Sequence, residues 1–262
     1  TTWAIVGVWQ IAAPIGRRCL FKYGGDLLII TQAGVQAMSS ALQSSRLQPQ
    51  TALTDKIRYQ MAAAVNVYGS NFGWELITFP NQNMLLLNVP VQVGNNQQQY
   101  VMNMITGAWC NFQSWNANCF ALFNDQLYFG GNTVVARAWN TQQDAGVDIE
   151  AQGLQAFNYF DSPGRVKRFT MMRPTFLTNG QPDIQGNMNV DFDTSSPSAA
   201  FTPTPLIGVV WDTGLWGTAL WAAGTSISRV WQGCTGVGYC GGVRLQLDNN
   251  NATLQWLATE VV

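Results

Sequence analysis

At 262 residues the chain can fold as one large all-β domain or two smaller ones, and its 47% apolar against 10% charged residues excludes intrinsic disorder. A net charge of −1 leaves no global field to draw it to nucleic acid or an anionic membrane. The lack of histidine excludes Ser-His-Asp and Cys-His catalysis, His-bearing zinc sites and ordinary pH switching near neutrality.

A surface poor in Lys and Glu and rich in Asn, Gln, Thr and Trp suits either a subunit buried among neighbours or a β domain with a neutral polar exterior. No uninterrupted apolar run approaches the roughly 20 residues that cross a bilayer. The chain opens on "TTWAIVGVWQ", without Met or a signal-peptide pattern, and closes on the strand-like "QWLATEVV". It therefore reads as a piece of a longer polypeptide. Its five cysteines (Cys19, Cys110, Cys119, Cys234 and Cys240) form no CxxC pair. Cys234 and Cys240 bracket "TGVGY" and are close enough in sequence to bridge, but the odd total argues against a disulfide framework and for folding in a cytosol.

Short apolar runs broken by Gly, Asn and Asp predict an all-β fold. The first unit has strands at Cys19 to Lys22, Leu27 to Thr31 and Val35 to Met38. One helix interrupts the pattern near residues 54 to 68. Thr54 is its expected N-cap, Asp55 complements the positive helix end, and Gly69 is its stop. Ile57, Met61, Ala64, Val65 and Tyr68 fall on one stripe, which points to core or interface packing. Strands follow at Trp74 to Phe79 and Met84 to Val89, then a hairpin in "YVMNMITGAWCNF" with Thr106-Gly107 at its tip. The order of the first unit recurs at Cys119 to Phe123, Leu127 to Gly130 and Thr133 to Trp139.

Meanders at this spacing are how propeller blades are written, each burying a face against the next. The expected architecture is thus a β-propeller-like stack of antiparallel meanders with one inserted α-helix, the alternative being a β-sandwich. Tyr100 and Trp109 are the expected aromatic fillers between sheets. A change of texture divides residues 1–160, carrying the helix, from 161–262, read as further blades or a second β module. In "NMNVDFD", Met188, Val190 and Phe192 alternate with Asn189, Asp191 and Asp193. "VRLQLDNNNATLQWLA" reads as a hairpin with Val243, Leu245 and Leu247 on the same side as Ala252, Leu254 and Trp256.

Three patterns carry chemistry. Asp191 and Asp193, two apart on a strand and so about 7 Å apart, fit a glycosidase acid pair or a Ca²⁺ site, or simply a solvated strand face. Arg165, Lys167, Arg168 and Arg173 form the basic segment, suited to sequence-independent phosphate contact or to bridging subunits. Arg17 and Arg18 carry the same two readings. Trp211, Trp216, Trp221 and Trp231, spaced by Gly and Thr, suit sugar stacking or packing between blades or subunits. "GVGYCGG" is not a phosphate loop, since no Lys-Ser or Lys-Thr follows its glycines.

"IGRRCLFKYGGDLLIITQAGVQAMS", "ALTDKI" with "YGSNFGWELITFPNQNMLLLNVP", "QQQYVMNMITGAWCNFQSWNANCFALFNDQLYFGG", residues 165 to 193 and the closing "VRLQLDNNNATLQWLATEVV" together resemble proteins of tailed-bacteriophage morphogenesis regions. The resemblance is to tail nozzle or head-to-tail hub proteins of short-tailed phages, which are much longer than this chain. It implies a virion structural subunit rather than an enzyme, with no catalytic residues, metal or cofactor. It implies a homo-oligomeric ring, commonly a hexamer, around the DNA channel beneath portal and adaptor proteins. Such a ring retains packaged double-stranded DNA, passes it without sequence specificity, and resides in the virion tail after folding in the host cytoplasm. The alternative is a glycan-binding or glycosidase-like propeller module for host-surface recognition, built on the Trp211 to Trp231 run with Asp191 and Asp193.

Overall fold

A computed structural model describes residues 4, 8, 11–43, 52–180, 182–197, 200–201 and 225–262. The chain is all-β, and it divides into two compact units, Thr1–Asn140 and Thr141–Val262. The change of sequence texture near residue 161 falls inside the second unit.

The first unit begins with the meander β1 (Leu20–Tyr23), β2 (Asp26–Thr31) and β3 (Gly34–Ala37). The third strand stops one residue short of the expected Met38, because Met38–Gln43 turns into a short helix, α1. The cause is Asp26, whose carboxylate accepts the backbone N–H of Ser39 at 3.1 Å and the Ser39 hydroxyl. A carboxylate at a helix start satisfies N–H groups that have no partner within the helix.

A 3₁₀ turn at Asp55–Ile57 leads into α2 (Arg58–Tyr68). The expected stripe holds: Met61 and Ala64 are buried, and Ile57, Val65 and Tyr68 pack against the same cluster. The expected cap does not. Thr54 makes no side-chain cap bond; its hydroxyl is buried and accepts the backbone N–H of Val35 at 3.1 Å. A Thr placed before an apolar helix reads as a cap in sequence, but here a neighbouring strand captures the oxygen.

Next comes a four-stranded meander of β4 (Glu75–Phe79), β5 (Met84–Gln92), β6 (Asn96–Asn103) and β7 (Trp109–Gln113), in that spatial order. The β6–β7 hairpin turns at the expected place. The Asn103 side chain accepts the N–H groups of Ile105 and Thr106, and Lys56 Nζ donates to the Gly107 carbonyl at 2.8 Å. That last bond ties the start of the helical segment to the hairpin tip. A third meander, β8 (Cys119–Phe123), β9 (Gln126–Gly130) and β10 (Val135–Arg137), follows. Its first turn has Asn124 and Asp125 both at positive φ, the backbone that a two-residue hairpin demands and these residues tolerate.

The middle meander has apolar groups on both faces. Leu76, Leu85, Leu87, Tyr100 and Met102 face Leu28, Ile30, Val35 and α2. Ile77, Leu86 and Val101 face the other way, toward Phe120 and Leu127. This double burial explains why β5 opens on four consecutive apolar residues, Met84 to Leu87, instead of alternating. Three consecutive meanders thus stack in chain order, and the described residues form no closed ring.

The second unit opens with the small hairpin β11 (Gln143–Asp144) and β12 (Val147–Asp148), then β13 (Glu150–Leu154), β14 (Lys167–Thr178), β15 (Asp183–Val190) and β16 (Ala200–Phe201). It closes with β17 (Ser226–Arg229), β18 (Gln232–Gly238), β19 (Gly241–Asp248) and β20 (Leu254–Val261). One sheet runs β13-β19-β15-β16; the other is built on β14, with β17 and β18 along one edge and β20 on the other. Pro174, which has no N–H to give, sits on β14 between the stretches that pair with β18 and with β17. Phe169, Met172, Phe176 and Cys234 of the β14 sheet share one core with Ile184, Met188, Val243 and Leu245 of the other. Two sheets around a common core fit the sandwich alternative.

The closing residues are not a hairpin. β19 pairs with β13 and β15, whereas β20 pairs with β14. Val243 and Leu245 nevertheless meet Leu254 and Trp256, since all four belong to the core between the sheets. The pattern of inward residues was legible; which strands they hydrogen-bond was not.

Candidate functional site

The basic segment lies at the start of β14, and the fold separates its members. Arg165 stays in the exposed loop before the strand. Lys167 turns its ammonium onto carbonyl oxygens, those of Arg165 at 3.0 Å and Tyr239 at 2.9 Å among them. Arg173 pairs with Glu260 across to β20, and its guanidinium lies 4.7 Å from the centre of the Trp231 ring. Arg168 projects outward opposite Val237 of β18 and is exposed.

Of these four, Arg168 and Arg173 share one outward sheet face. Along it Arg168, Met171 and Arg173 of β14 lie beside Ile227 and Arg229 of β17 and Val237 of β18. Met171, Ile227 and Val237 are exposed at 41%, 56% and 61%. The face therefore mixes open apolar side chains with arginines, and Trp231 flanks it as the stacking partner of Arg173. Arg229 and Ile227 were not singled out in the sequence, because "SISRV" carries no charge cluster and its neighbours arrive only through pairing with β14.

Tyr100 is buried in the core between the first two meanders, and Trp109 packs at the edge of the same cluster. Trp211, Trp216 and Trp221 lie outside the described residues. An aromatic group that the sequence did not single out forms at the third meander. Phe112 stacks on Trp139 at 5.9 Å, and Trp115 stacks on Phe129 at 5.6 Å. Only folding brings β7, the loop after it and β9 side by side, so no local spacing announces it.

The acid pair dissolves. β15 ends at Val190, and Asp191 and Phe192 both take positive φ in a turn. Asp191 accepts the N–H groups of Tyr239 and Cys240 at 2.8 and 3.2 Å. Asp193 accepts the Ser195 N–H at 3.0 Å and the Ser195 hydroxyl at 2.6 Å, bonds that hold its carboxyl below the usual aspartate value. Asp193 is committed to its own turn and Asp191 to the β18–β19 turn, and Phe192, expected inward, is exposed. Asn189, expected outward, is buried and donates to the carbonyls of Asp193 and Ser195.

The "GVGYCGG" run serves close approach between the sheets. A Cβ on Gly238 would lie 2.7 Å from the Asp191 carboxylate, and one on Gly241 would lie 2.9 Å from the Phe169 ring of the facing sheet. Arg18 is also committed, to Glu75 at 3.0 Å. All five cysteines are free thiols, Cys234 and Cys240 included. Among the described residues no group of three or more His, Cys, Asp or Glu side chains is placed to hold a metal ion, and no helix is long and apolar enough to cross a membrane. Compared with known proteins, the chain matches no family model and no curated protein.

Proposed function

We propose that this chain is a structural subunit of a tailed-phage virion, working by assembly into a ring around the DNA passage as a nozzle or hub layer. The reading rests on the resemblance of its ordered segments to that class of protein. The observation that carries it is the outward face of the β14 sheet. Met171, Ile227 and Val237 stand open beside Arg168 and Arg229, a composition typical of surfaces that other subunits cover. Function then lies in ring geometry and in the interfaces that set it. A near-neutral chain suits a conduit, because many phosphate contacts would hold the genome back during exit.

The test is sedimentation of the full-length protein, with Ile227→Asp and Val237→Asp as interface variants. The expected result is a closed oligomer, with six copies the leading stoichiometry, that both variants dissociate without loss of β-structure. A monomer at high concentration that also fails to join virions overturns the reading. Binding to duplex DNA at low salt that weakens in Arg168→Glu would assign this face to the channel instead of the subunit contact.

A further inference from the structure

A cavity of about 840 Å³ opens in the first unit between α2 and the ends of β5, β6 and β7. Gln60 and Tyr68 of α2, Gln98 and Tyr100 of β6, Gln113 of β7 and Asn116 just beyond it supply the polar groups that matter. Gln98 and Gln113 are directly opposed in register, so their amides share a face, and Tyr100 joins them two residues along. Gln98 Nε2 lies 3.5 Å from the Tyr100 hydroxyl, which also bonds the Gln60 side chain. Burial pushes the Tyr100 phenol above its ordinary value, so it stays a neutral O–H group.

One further feature marks this place. Ser114, on the wall, holds a φ of 76°, a left-handed backbone that a non-glycine residue adopts at a cost and that concentrates at binding sites.

The chemistry of the walls selects a ligand. Among the described residues that line the cavity none is charged, so an anion would meet no cation and a cation no carboxylate. An apolar ligand would strip the amides of water with nothing to replace it, which is unfavourable for each group left unpaired. Hydroxyl groups donate and accept at once, and each side-chain amide offers both a donor and an acceptor. Tyr68, Val67 and Val91 add the apolar surface on which the C–H face of a sugar ring rests. The volume falls within the range of small-ligand sites.

We propose that this cavity binds a neutral saccharide through its glutamine and asparagine amides and the Tyr68 and Tyr100 phenols. The site is far in sequence from the tryptophan run that suggested sugar stacking, and it does not depend on the chain forming a ring.

The test uses the purified full chain with maltotetraose, cellotetraose and chitotetraose as neutral probes, tetragalacturonate as an anionic one and tetraglutamine as a peptide. Saturation-transfer NMR and calorimetry read the binding. The expected result is that at least one neutral saccharide binds and that Gln113→Ala and Gln60→Leu each weaken it by roughly 10-fold. Both side chains are exposed at their positions, so circular dichroism should show unchanged folding, and Gln98→Ala adds a third reading. No neutral probe binding at about 10 mM, a range where even weak complexes register, would overturn the proposal. So would affinity that ignores all three substitutions, or preference for the anionic or peptide probe.

Discussion

Glu75 and Arg18 form an ion pair at 3.0 Å, and the same carboxylate oxygen accepts the Phe120 backbone N–H at 3.1 Å. One side chain at the start of β4 thus holds the segment leading into β1 on one side and the start of β8 on the other. Its two partners are unequal. Arg18 is substantially exposed, and such pairs contribute at most about 1 kcal/mol. The Phe120 N–H is partly buried and would lose its acceptor. Glu75→Ala is therefore expected to destabilise the first unit by about 2 kcal/mol, and Arg18→Ala by less than about 1 kcal/mol. Urea unfolding of both variants checks this, and equal costs would show that the pair, not the backbone bond, holds the sheets.

Thr54 gives a second prediction, because its capping and strand-tethering roles diverge under substitution. A cap accepts Asp in place of Thr with little change or a gain. The hydroxyl bonded to Val35 N–H is enclosed, and Gly34 lies so close that an added Cβ would sit 2.3 Å from it. Thr54→Ser is expected to be nearly neutral. Thr54→Val, which leaves the Val35 N–H unpaired, should cost about 1–3 kcal/mol, and Thr54→Asp at least as much because it buries a charge. A stable Thr54→Asp variant would return the residue to its capping role.

What was legible in the sequence follows from these cases. Periodicity is a property of single segments, so the α2 stripe, the strands and most turns could be read directly. Partnership between segments could not. The Thr54 oxygen was assigned to its own helix because the competing N–H lies nineteen positions back. Val243, Leu245, Leu254 and Trp256 were correctly placed on one core, yet assigned to one hairpin, since two strands of different sheets facing a shared core present the same alternation as a pair in one sheet. Asp191 and Asp193 were read as one face because nothing local shows that Val190 ends the strand. Of the outward arginine face only the β14 residues were visible as a motif; Ile227, Arg229 and Val237, like the members of the amide-lined cavity, come together only through pairing and packing of separate segments.

Asp26 and Ser39 predict a pH dependence with a definite sign. The Ser39 hydroxyl is the largest cause, and the Leu27 N–H the next, that hold the Asp26 carboxyl below the ordinary aspartate value. A carboxyl depressed on folding contributes stability that is present above the unfolded value and lost as pH falls through the folded one. Ser39→Ala removes the main cause, so Asp26 should titrate higher in that variant, as carboxyl NMR shifts would report. The stability gap between wild type and Ser39→Ala should be present at neutral pH and close as the solution passes below the usual aspartate range. A gap that stays constant into acid would mean that the hydroxyl contributes only to packing.

Asp191 distinguishes a turn-locking carboxylate from a catalytic one. Its Oδ1 accepts two adjacent N–H groups where the chain passes from β18 to β19, and its own N–H donates to the Cys240 carbonyl. This clasp joins the end of β15 to the crossover between the two sheets. Asp191→Ala is expected to destabilise the second unit by about 1–2 kcal/mol. Asp191→Asn, which keeps an acceptor oxygen in place, should recover most of that. Gly238→Ala should be at least as costly as Asp191→Ala, because the new methyl would displace the carboxylate. Thermal unfolding of the three variants orders them. A glycosidase acid would share that tolerance of Asn but lose turnover with it, so an Asp191→Asn variant that keeps its stability yet abolishes a measured hydrolysis would refute a purely structural role.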